Sequence, residues 1–474
     1  GSATISALIG VITAAADGNG TLTYSNTGQS TQTGNIGAGA GNGIGTIAVA
    51  GAGLIDIVGS VDTRSLTVAE GGVISFDRAA THDAAVLTTT GIVEYLVNPN
   101  GAANQAVTGT VDGAAVNNGV VLLNNGSTTT FANAVGDTQA IKTLTMTTAG
   151  IFNSNVSALG VTSAQSKINH FKGNLTVGAS KYVMTGTAAE AMFNGTGDQT
   201  VTGKIEGSSA HNGVIDNANT GGTLTFASAD LGVELKEIEL DAGTTTVFKG
   251  LTRSQLLDVA GTVTFENKNN VVDDFDFAAT SKLFIDDASI VAGDTVFALG
   301  TAGGDATSLV DGMEIYMPAN LAKGAEIKLF TQITDNAKAI LVAGDANTSL
   351  NDTAVLDYVA SATDDDVHVT AVAKSASAIA TEQAISLNEA KSLSQAFSAS
   401  ILGDTGAQTA FETAGNASSS TQSSDLAKQL APQADSMGGS SLATRAMTGS
   451  VQGIVSNRMA SLRSGDAFVT GMSA

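Results

Sequence analysis

The strongest constraint on this chain is an internal repeat. Residues 105–113 (Gln-Ala-Val-Thr-Gly-Thr-Val-Asp-Gly) match residues 199–207 (Gln-Thr-Val-Thr-Gly-Lys-Ile-Glu-Gly) at an offset of 94 (199 − 105). The same offset relates two further pairs of segments, 118–121 with 212–215 and 142–146 with 236–240. Repetition at a fixed offset indicates supersecondary units that stack on one another.

A shorter unit recurs within these copies. It is a Gly turn followed by alternating apolar and polar residues, seen at 20–24, 222–226 and 261–265 and more loosely at 72–76 and 126–131. Alternation places Leu22 and Tyr24 on one face of a strand. In residues 236–240 it directs Ile238 and Leu240 inward and the two Glu residues outward.

Short strands of this kind cannot bury a face alone, so they are expected to stack coil on coil. A chain of 474 residues is also too long for one compact core unless it is built from repeats. The sequence therefore predicts an all-β fold, a right-handed parallel β-helix over residues 1–325 with about 20–25 residues per coil. A β-propeller is the alternative, but its blades would repeat at about 40–50 residues with Trp or Gly signatures.

The pattern changes after residue 325. Four strand-like segments, 326–330, 339–342, 354–358 and 366–372, predict a C-terminal β cap over residues 326–373. Helix-forming residues follow, with a Ser/Gly/Asn linker at 415–424, so residues 374–474 are predicted to be an α-helical linker tail.

Composition excludes several classes of function. The chain has no Cys, which removes disulfides, thiolate metal sites and Cys nucleophiles. Its formal net charge of −23 repels phosphate backbones, so no nucleic acid is expected as a partner. No apolar stretch is long enough for a transmembrane helix.

Possible catalytic residues carry no complete arrangement. Asp404-Thr405-Gly406 matches the aspartic-protease triplet, but that chemistry needs a second such loop, and the triplet is interpreted as a turn. His82, His170, His211 and His368 are far apart in sequence. His211 matches Asn117 across the repeat, which predicts a turn position.

The acidic residues Asp273, Asp274, Asp276, Asp286 and Asp287 are candidate calcium ligands. Such a site needs six to eight oxygen ligands and usually a Gly-bearing loop. Solvated turns are the favoured interpretation, as they are for residues 364–366. The sequence predicts no catalytic, cofactor-binding or metal-ligating residue and no cofactor.

The tail carries a specific resemblance. Residues 425–433 (Asp-Leu-Ala-Lys-Gln-Leu-Ala-Pro-Gln) and 456–463 (Ser-Asn-Arg-Met-Ala-Ser-Leu-Arg) resemble the segment that precedes the β-barrel in bacterial autotransporters. Residues 326–373 are similar to the autochaperone cap of that family. The Gly-Thr-Leu-Thr-Phe units, with residues 34–37 (Gly-Asn-Ile-Gly), resemble the rickettsial surface cell antigen family of autotransporters.

The resemblance implies a passenger of type V secretion, held on the extracellular side of the outer membrane by a C-terminal barrel that lies outside this chain. It implies a non-enzymatic adhesin, a surface-layer protein, or both. The implied partners are a host cell-surface protein, further copies in a surface layer, and the barrel through the helical tail. The alternative is a polysaccharide-active β-helix enzyme, which would need clustered Asp, Lys and Arg beside aromatic platforms.

Overall fold

The computed structural model describes residues 7–8, 10–37, 43–78, 80–87, 91–96, 104–124, 128–227, 231, 235–286, 289–298, 313–318, 321, 324–331, 350–352, 355–363, 366–388, 390–391 and 394. The described part divides into two compact units. The first comprises Gly1–Leu321, Ala325–Asn351 and Tyr358–Thr370, and the second Ala322–Gly324, Asp352–Asp357 and Ala371–Ala474.

The first eighteen strands are β1 (Ala7–Leu8), β2 (Asn19–Tyr24), β3 (Ser30–Gln32), β4 (Ile44–Val49), β5 (Leu54–Ile57), β6 (Val61–Val68), β7 (Val73–Phe76), β8 (Ala80–Leu87), β9 (Ile92–Leu96), β10 (Gln105–Val107), β11 (Thr110–Gly113), β12 (Asn118–Asn124), β13 (Thr129–Phe131), β14 (Ile141–Met146), β15 (Gly150–Phe152), β16 (Val156–Ala164), β17 (Ile168–Phe171) and β18 (Leu175–Val177).

The remaining elements are β19 (Tyr182–Thr185), β20 (Glu190–Phe193), β21 (Gln199–Thr202), β22 (Ile205–Gly207), β23 (Val214–Asn217), β24 (Thr223–Phe226), β25 (Leu235–Leu240), β26 (Thr245–Phe248), β27 (Arg253–Val259), β28 (Thr262–Phe265), β29 (Asn270–Phe277), β30 (Lys282–Ile285), β31 (Thr295–Ala298), β32 (Glu314–Tyr316), β33 (Glu326–Thr331), β34 (Leu350–Asn351), β35 (Leu356–Thr363), β36 (Asp366–Ala373) and the helix α1 (Ala376–Glu382).

The strands of the first unit form two ladders that the chain visits in turn. The first ladder contains β1, β3, β5, β7, β9, β12, β14, β16, β18, β19, β21, β22, β24, β26, β28, β30, β32 and β34. The second contains β2, β4, β6, β8, β10, β11, β13, β15, β17, β20, β23, β25, β27, β29, β31 and β33, followed by β35 and β36. The recorded pairings of strands β1 to β34 with one another are parallel, so the predicted all-β solenoid is confirmed.

Coil length varies more than the sequence predicts. Phe76 pairs with Tyr95 and Tyr95 with Leu123, which makes these coils 19 (95 − 76) and 28 (123 − 95) residues long. Leu283 pairs with Ile315, a step of 32 residues (315 − 283). The paired strands hold a constant register while the turns between them absorb the extra residues.

An aromatic column runs through the core of the solenoid. Consecutive members touch with ring centroids 4.9 to 5.9 Å apart: Phe76, Tyr95, Phe131, Phe152, Phe171, Phe193, Phe226, Phe248, Phe265, Phe297 and Phe330. Consecutive rings of the column that belong to one ladder stack, whereas the column contacts Tyr95–Phe131, Phe193–Phe226 and Phe265–Phe297 are edge-on. Each edge-on contact marks a passage from one ladder to the other. A low aromatic content therefore still provides a continuous core, because the rings are concentrated along one line.

Strands that are equivalent in the 94-residue repeat are present in the structure, but the two members of each pair lie in different ladders. β12 belongs to the first ladder, and its counterpart 94 residues on, β23, belongs to the second. The pairs β14 with β25 and β17 with β28 also exchange ladders. At the observed coil lengths the offset covers about four and a half coils, so each copy begins half a coil out of phase with the one before it.

An antiparallel pair occurs at the C-terminal end of the first unit. Lys328 in β33 lies opposite His368 in β36. Lys328 Nζ is 2.8 Å from Asp366 Oδ2, and His368 Nδ1 is 3.0 Å from Glu326 Oε1. Three of the predicted cap strands are present as β33, β35 and β36, whereas the predicted strand at 339–342 lies outside the described residues.

The second unit begins its helix at Ser375, whose hydroxyl accepts a hydrogen bond from the Ala378 amide at 3.1 Å. Lys374, immediately before this cap, is 6% exposed. Its Nζ contacts Glu382 and lies 3.5 Å from Asp357 and 3.8 Å from Asp352. Helix α1 agrees with the predicted start of the tail, and residues 395–474 lie outside the described residues.

Candidate functional site

The most distinctive surface feature is a row of carboxylates on the outer face of the second ladder. In β25, Ile238 and Leu240 are buried and face the core, so Glu237 and Glu239 face outward as the alternation predicts. The outward position of Glu239 pairs with Asp216 in β23 and with Asp258 in β27. Asp258 pairs in turn with Asp276 in β29. We call Asp216, Glu239, Asp258 and Asp276 the acidic ladder.

The register places one carboxylate directly above the next. Neighbouring strands in a sheet lie about 4.8 Å apart, so four negative groups follow one another at roughly that spacing. Like charges that lie directly opposite each other destabilise a sheet. The arrangement therefore has an electrostatic cost at neutral pH that the aromatic and aliphatic core offsets.

Further carboxylates surround the acidic ladder. A second row of outward positions lies two residues earlier along the same strands. It contains Glu190 in β20, Glu237 in β25 and Asp274 in β29, with Val214 and Leu256 between them. Asp241 follows β25. Lys236 supplies a positive charge, with its Nζ 3.2 Å from Glu237 Oε2.

Asp216 is the least ordinary member of the row. Its side chain faces outward with the rest, yet the residue is only 6% exposed. Its Oδ1 is buried and finds no hydrogen-bond donor among the described residues. Burial, reinforced by the charges of Asp241, Glu239 and Glu190, raises the pKa of Asp216 to about 7.

The pKa values of Glu239 and Asp258, the next two members of the row, are raised as well. Burial raises the pKa of Glu239, and the charges of Glu237 and Asp241 add to the effect, while Lys236 opposes it. Burial and the charge of Asp276 likewise raise the pKa of Asp258. Asp216, Glu239 and Asp258 therefore hold protons more strongly than isolated carboxylates do.

Elsewhere in the solenoid, the buried carboxylate of Glu206 has a lowered pKa. Glu206 is 8% exposed, but Lys181 Nζ lies 2.8 Å from its Oε1 and Lys204 Nζ 3.5 Å from its Oε2. Burial works to raise the pKa of Glu206, yet the hydrogen bond from Lys181 and the charges of both lysines outweigh it, so the pKa is lowered. Pairing, rather than burial alone, distinguishes Glu206 from Asp216.

A buried amide network joins the coils from within. Gln199 Nε2 donates to the carbonyl oxygens of Phe171 and Gly173, both at 2.9 Å. Its Oε1 accepts from the Gly195 amide at 2.9 Å and from Asn219 Nδ2 at 3.0 Å. The repeat counterpart Gln105 donates to the Phe76 carbonyl in the same way, at 2.5 Å. These amides satisfy backbone groups at the coil corners.

The histidines occupy separate places. His82 is buried, and His170 lies 3.0 Å from Asn194 Nδ2, with its pKa lowered by burial and by Lys172. His211 adopts a left-handed backbone conformation (φ 62°), and so does its counterpart Asn117 (φ 64°). The turn position predicted from the repeat is confirmed for His211.

The turn interpretation of the acidic run is wrong for three of its residues. Asp273, Asp274 and Asp276 lie within β29. Phe275 and Phe277 alternate into the core, so Asp274 and Asp276 face outward, whereas Asp273 is buried. Asp286 follows β30, and Asp287 lies outside the described residues. Among the residues that the structure describes, no group of three or more His, Asp or Glu side chains could hold a metal ion.

Two other acidic segments singled out in the sequence, the Asp-Thr-Gly triplet and the turn at 364–366, lie wholly or partly outside the described residues. Asp404-Thr405-Gly406 lies outside the described residues, and so do Asp364 and Asp365. Asp366 belongs to β36 and pairs with Lys328.

Comparison with the models of known protein families, with curated proteins and with solved structures found no match. Within the described residues, no helix is long and apolar enough to cross a membrane.

Proposed function

We propose that this chain is the surface-exposed passenger of a bacterial autotransporter and acts as a non-enzymatic adhesin, a surface-layer protein, or both. The β-solenoid carries this proposal, because in-register coils give a long, regular surface suited to binding or to lateral association. The resemblance of residues 425–433 and 456–463 to the segment before an autotransporter barrel supports it independently.

The partners follow from the same proposal. A host cell-surface protein or further copies of the chain would contact the outer faces of the ladders, and the helical tail would connect the passenger to its own barrel. The extracellular side of the outer membrane is the proposed location. A net charge of −23 disfavours nucleic acid as a partner.

Protease treatment of intact cells that produce the natural full-length protein tests the proposal. Antibodies against residues 1–325 and against the region after residue 474 would follow each part separately. We expect the solenoid to be removed while a membrane-embedded remnant survives. A periplasmic protein followed in parallel controls for loss of outer-membrane integrity.

Two results would overturn the proposal. One is protection of the solenoid in intact cells together with its digestion after lysis. The other is depolymerisation of a purified polysaccharide by the purified chain, which would favour the β-helix enzyme instead.

A further inference from the structure

Asp216 is an outward-facing carboxylate that the fold buries without giving its Oδ1 a hydrogen-bond donor in the described part of the chain. An ionised carboxylate in such a place has lost water and gained no counter-charge. The free-energy cost of that arrangement is relieved when the group takes up a proton. The site lies on one of the outer faces proposed above for partners, but its ligand is of another kind, because it must be small enough to reach a nearly covered oxygen.

The groups that face Asp216 make proton uptake more favourable still. Glu239 from β25 is its direct neighbour in the pairing, and Glu190 from β20 and Asp241 from the turn after β25 add negative charge. On the far side of Glu239 lie Asp258 and Asp276 from β27 and β29.

The remaining charged groups near the acidic ladder leave the net charge around Asp216 negative. Glu237 and Asp274 add two further carboxylates, and Lys236 acts on Glu239 and Glu237. The described residues that face Asp216 are thus predominantly anionic.

We propose that Asp216, Glu239 and Asp258 of the acidic ladder form a proton-binding site, centred on Asp216, that makes the solenoid around β23, β25 and β27 more stable in mildly acidic surroundings than at neutral pH.

The direction follows from proton linkage. The pKa of Asp216 in the folded chain, about 7, lies above its ordinary value of 3.8. The folded state therefore binds the proton more tightly than the unfolded state does. Stability gained from this group is fully present below the unfolded value and is lost as pH rises through about 7. Glu190, Glu239 and Asp258 shift in the same direction and widen the response.

Native-state hydrogen exchange of the full chain, read by mass spectrometry on peptides from residues 190–285, measures this stability locally. Protection factors, corrected for the intrinsic pH dependence of exchange, are compared at pH 7.5 and pH 5.5. We expect wild-type protection in β23 and β25 to rise on the order of tenfold on acidification. Asp216→Asn should start closer to the acidified wild-type level at pH 7.5 and gain less protection on acidification than wild type does, because only Glu190, Glu239 and Asp258 still take up protons.

Glu206→Gln is the matched control, because Glu206 is about as buried as Asp216 but is paired with two lysines. Its removal should lower protection of β22 at pH 7.5 and leave the acid response of β23 and β25 intact. Glu239→Gln is the second test variant. It relieves repulsion on Asp216 without removing it, so the midpoint of the acid response should move to lower pH.

Three results would overturn the inference. The first is an equal acid response in wild type and Asp216→Asn. The second is a loss of protection on acidification. The third is a wild-type gain at pH 7.5 on adding 1 mM calcium chloride that Asp216→Asn abolishes, together with no response to acid, which would indicate a metal site.

Discussion

The outer faces of the two ladders differ sharply between residues 190 and 285, although they cover the same coils. The second ladder presents the acidic ladder. The first presents threonines in register: Thr223 pairs with Thr245 and Thr245 with Thr262, and Thr225 and Thr264 flank Val247 two positions further along the strands. The comparison shows that in-register pairing aligns the side chains at outward positions, so the second ladder presents a column of carboxylates and β24, β26 and β28 of the first present a column of hydroxyls that ends at Lys282.

The two faces also differ in how their side chains affect the stability of the folded chain. The hydroxyls of the threonine face are neutral, and β-branched residues fit a pleated surface. The acidic face lowers stability at neutral pH. Both rest on one aromatic column that crosses between the ladders at Phe193 and Phe226, where the rings meet edge-on at 5.9 Å.

The largest expected effect comes from breaking this shared column. Phe193→Ala and Phe226→Ala should each lower the free energy of unfolding by about 3–5 kcal/mol, because each removes a buried ring and leaves a cavity. Exchange should accelerate in strands of both ladders, whichever ring is removed. Acceleration limited to one ladder would contradict the view that the two faces share a single core.

Loss of the inner amide network should cause the second-largest loss of stability. Gln199→Leu removes the acceptor of the Gly195 amide and the side-chain donor to the Gly173 carbonyl, at a cost of about 2–3 kcal/mol. The Phe171 carbonyl and Asn219 Nδ2 each lose one of two hydrogen bonds. Thr200→Val, one residue on and facing outward, is the control and should change stability by about 0.5 kcal/mol or less. Thermal unfolding monitored by circular dichroism compares them, and equal losses would refute the structural role of Gln199.

A carboxylate added to each face tests the comparison directly. Met192 lies beside Asp216 in the pairing, so Met192→Asp extends the acidic ladder by one position. Thr225→Asp places the same group on the threonine face. At pH 7.5 Met192→Asp should cost about 1 kcal/mol more than Thr225→Asp, because it adds a like charge to an existing column.

This difference should disappear below about pH 4, where carboxylates are protonated. Chemical denaturation of both variants at pH 7.5 and pH 3.5 measures it. A difference that persists at pH 3.5 would show that packing around residue 192, rather than charge, is responsible.

Salt should give the smallest effect. Raising sodium chloride from 0.1 M to 1 M shortens the Debye length from about 10 Å to about 3 Å and weakens repulsion between exposed carboxylates. Protection in β27 and β29 should rise by a few tenths of a kcal/mol, while β26 and β28 should stay unchanged. An equal rise on both faces would point to a general salt effect on folding.

Local sequence patterns are sufficient to predict the kind of fold. The Gly-turn units and their alternation predicted strands at 20–24, 222–226, 236–240 and 261–265, and all four are present as β2, β24, β25 and β28. The repeat also predicted the turn conformation of His211 from Asn117. These features are local, because alternation and turn chemistry depend on neighbours along the chain.

The contacts between distant residues, in contrast, follow only from the three-dimensional fold. Asp216, Glu239, Asp258 and Asp276 are separated by 23, 19 and 18 residues (239 − 216, 258 − 239 and 276 − 258), so no fixed spacing reveals their alignment. The aromatic column and the exchange of ladders between repeat copies have the same origin. Turn lengths vary freely at little energetic cost, whereas register across the ladders is fixed by backbone hydrogen bonds and core packing.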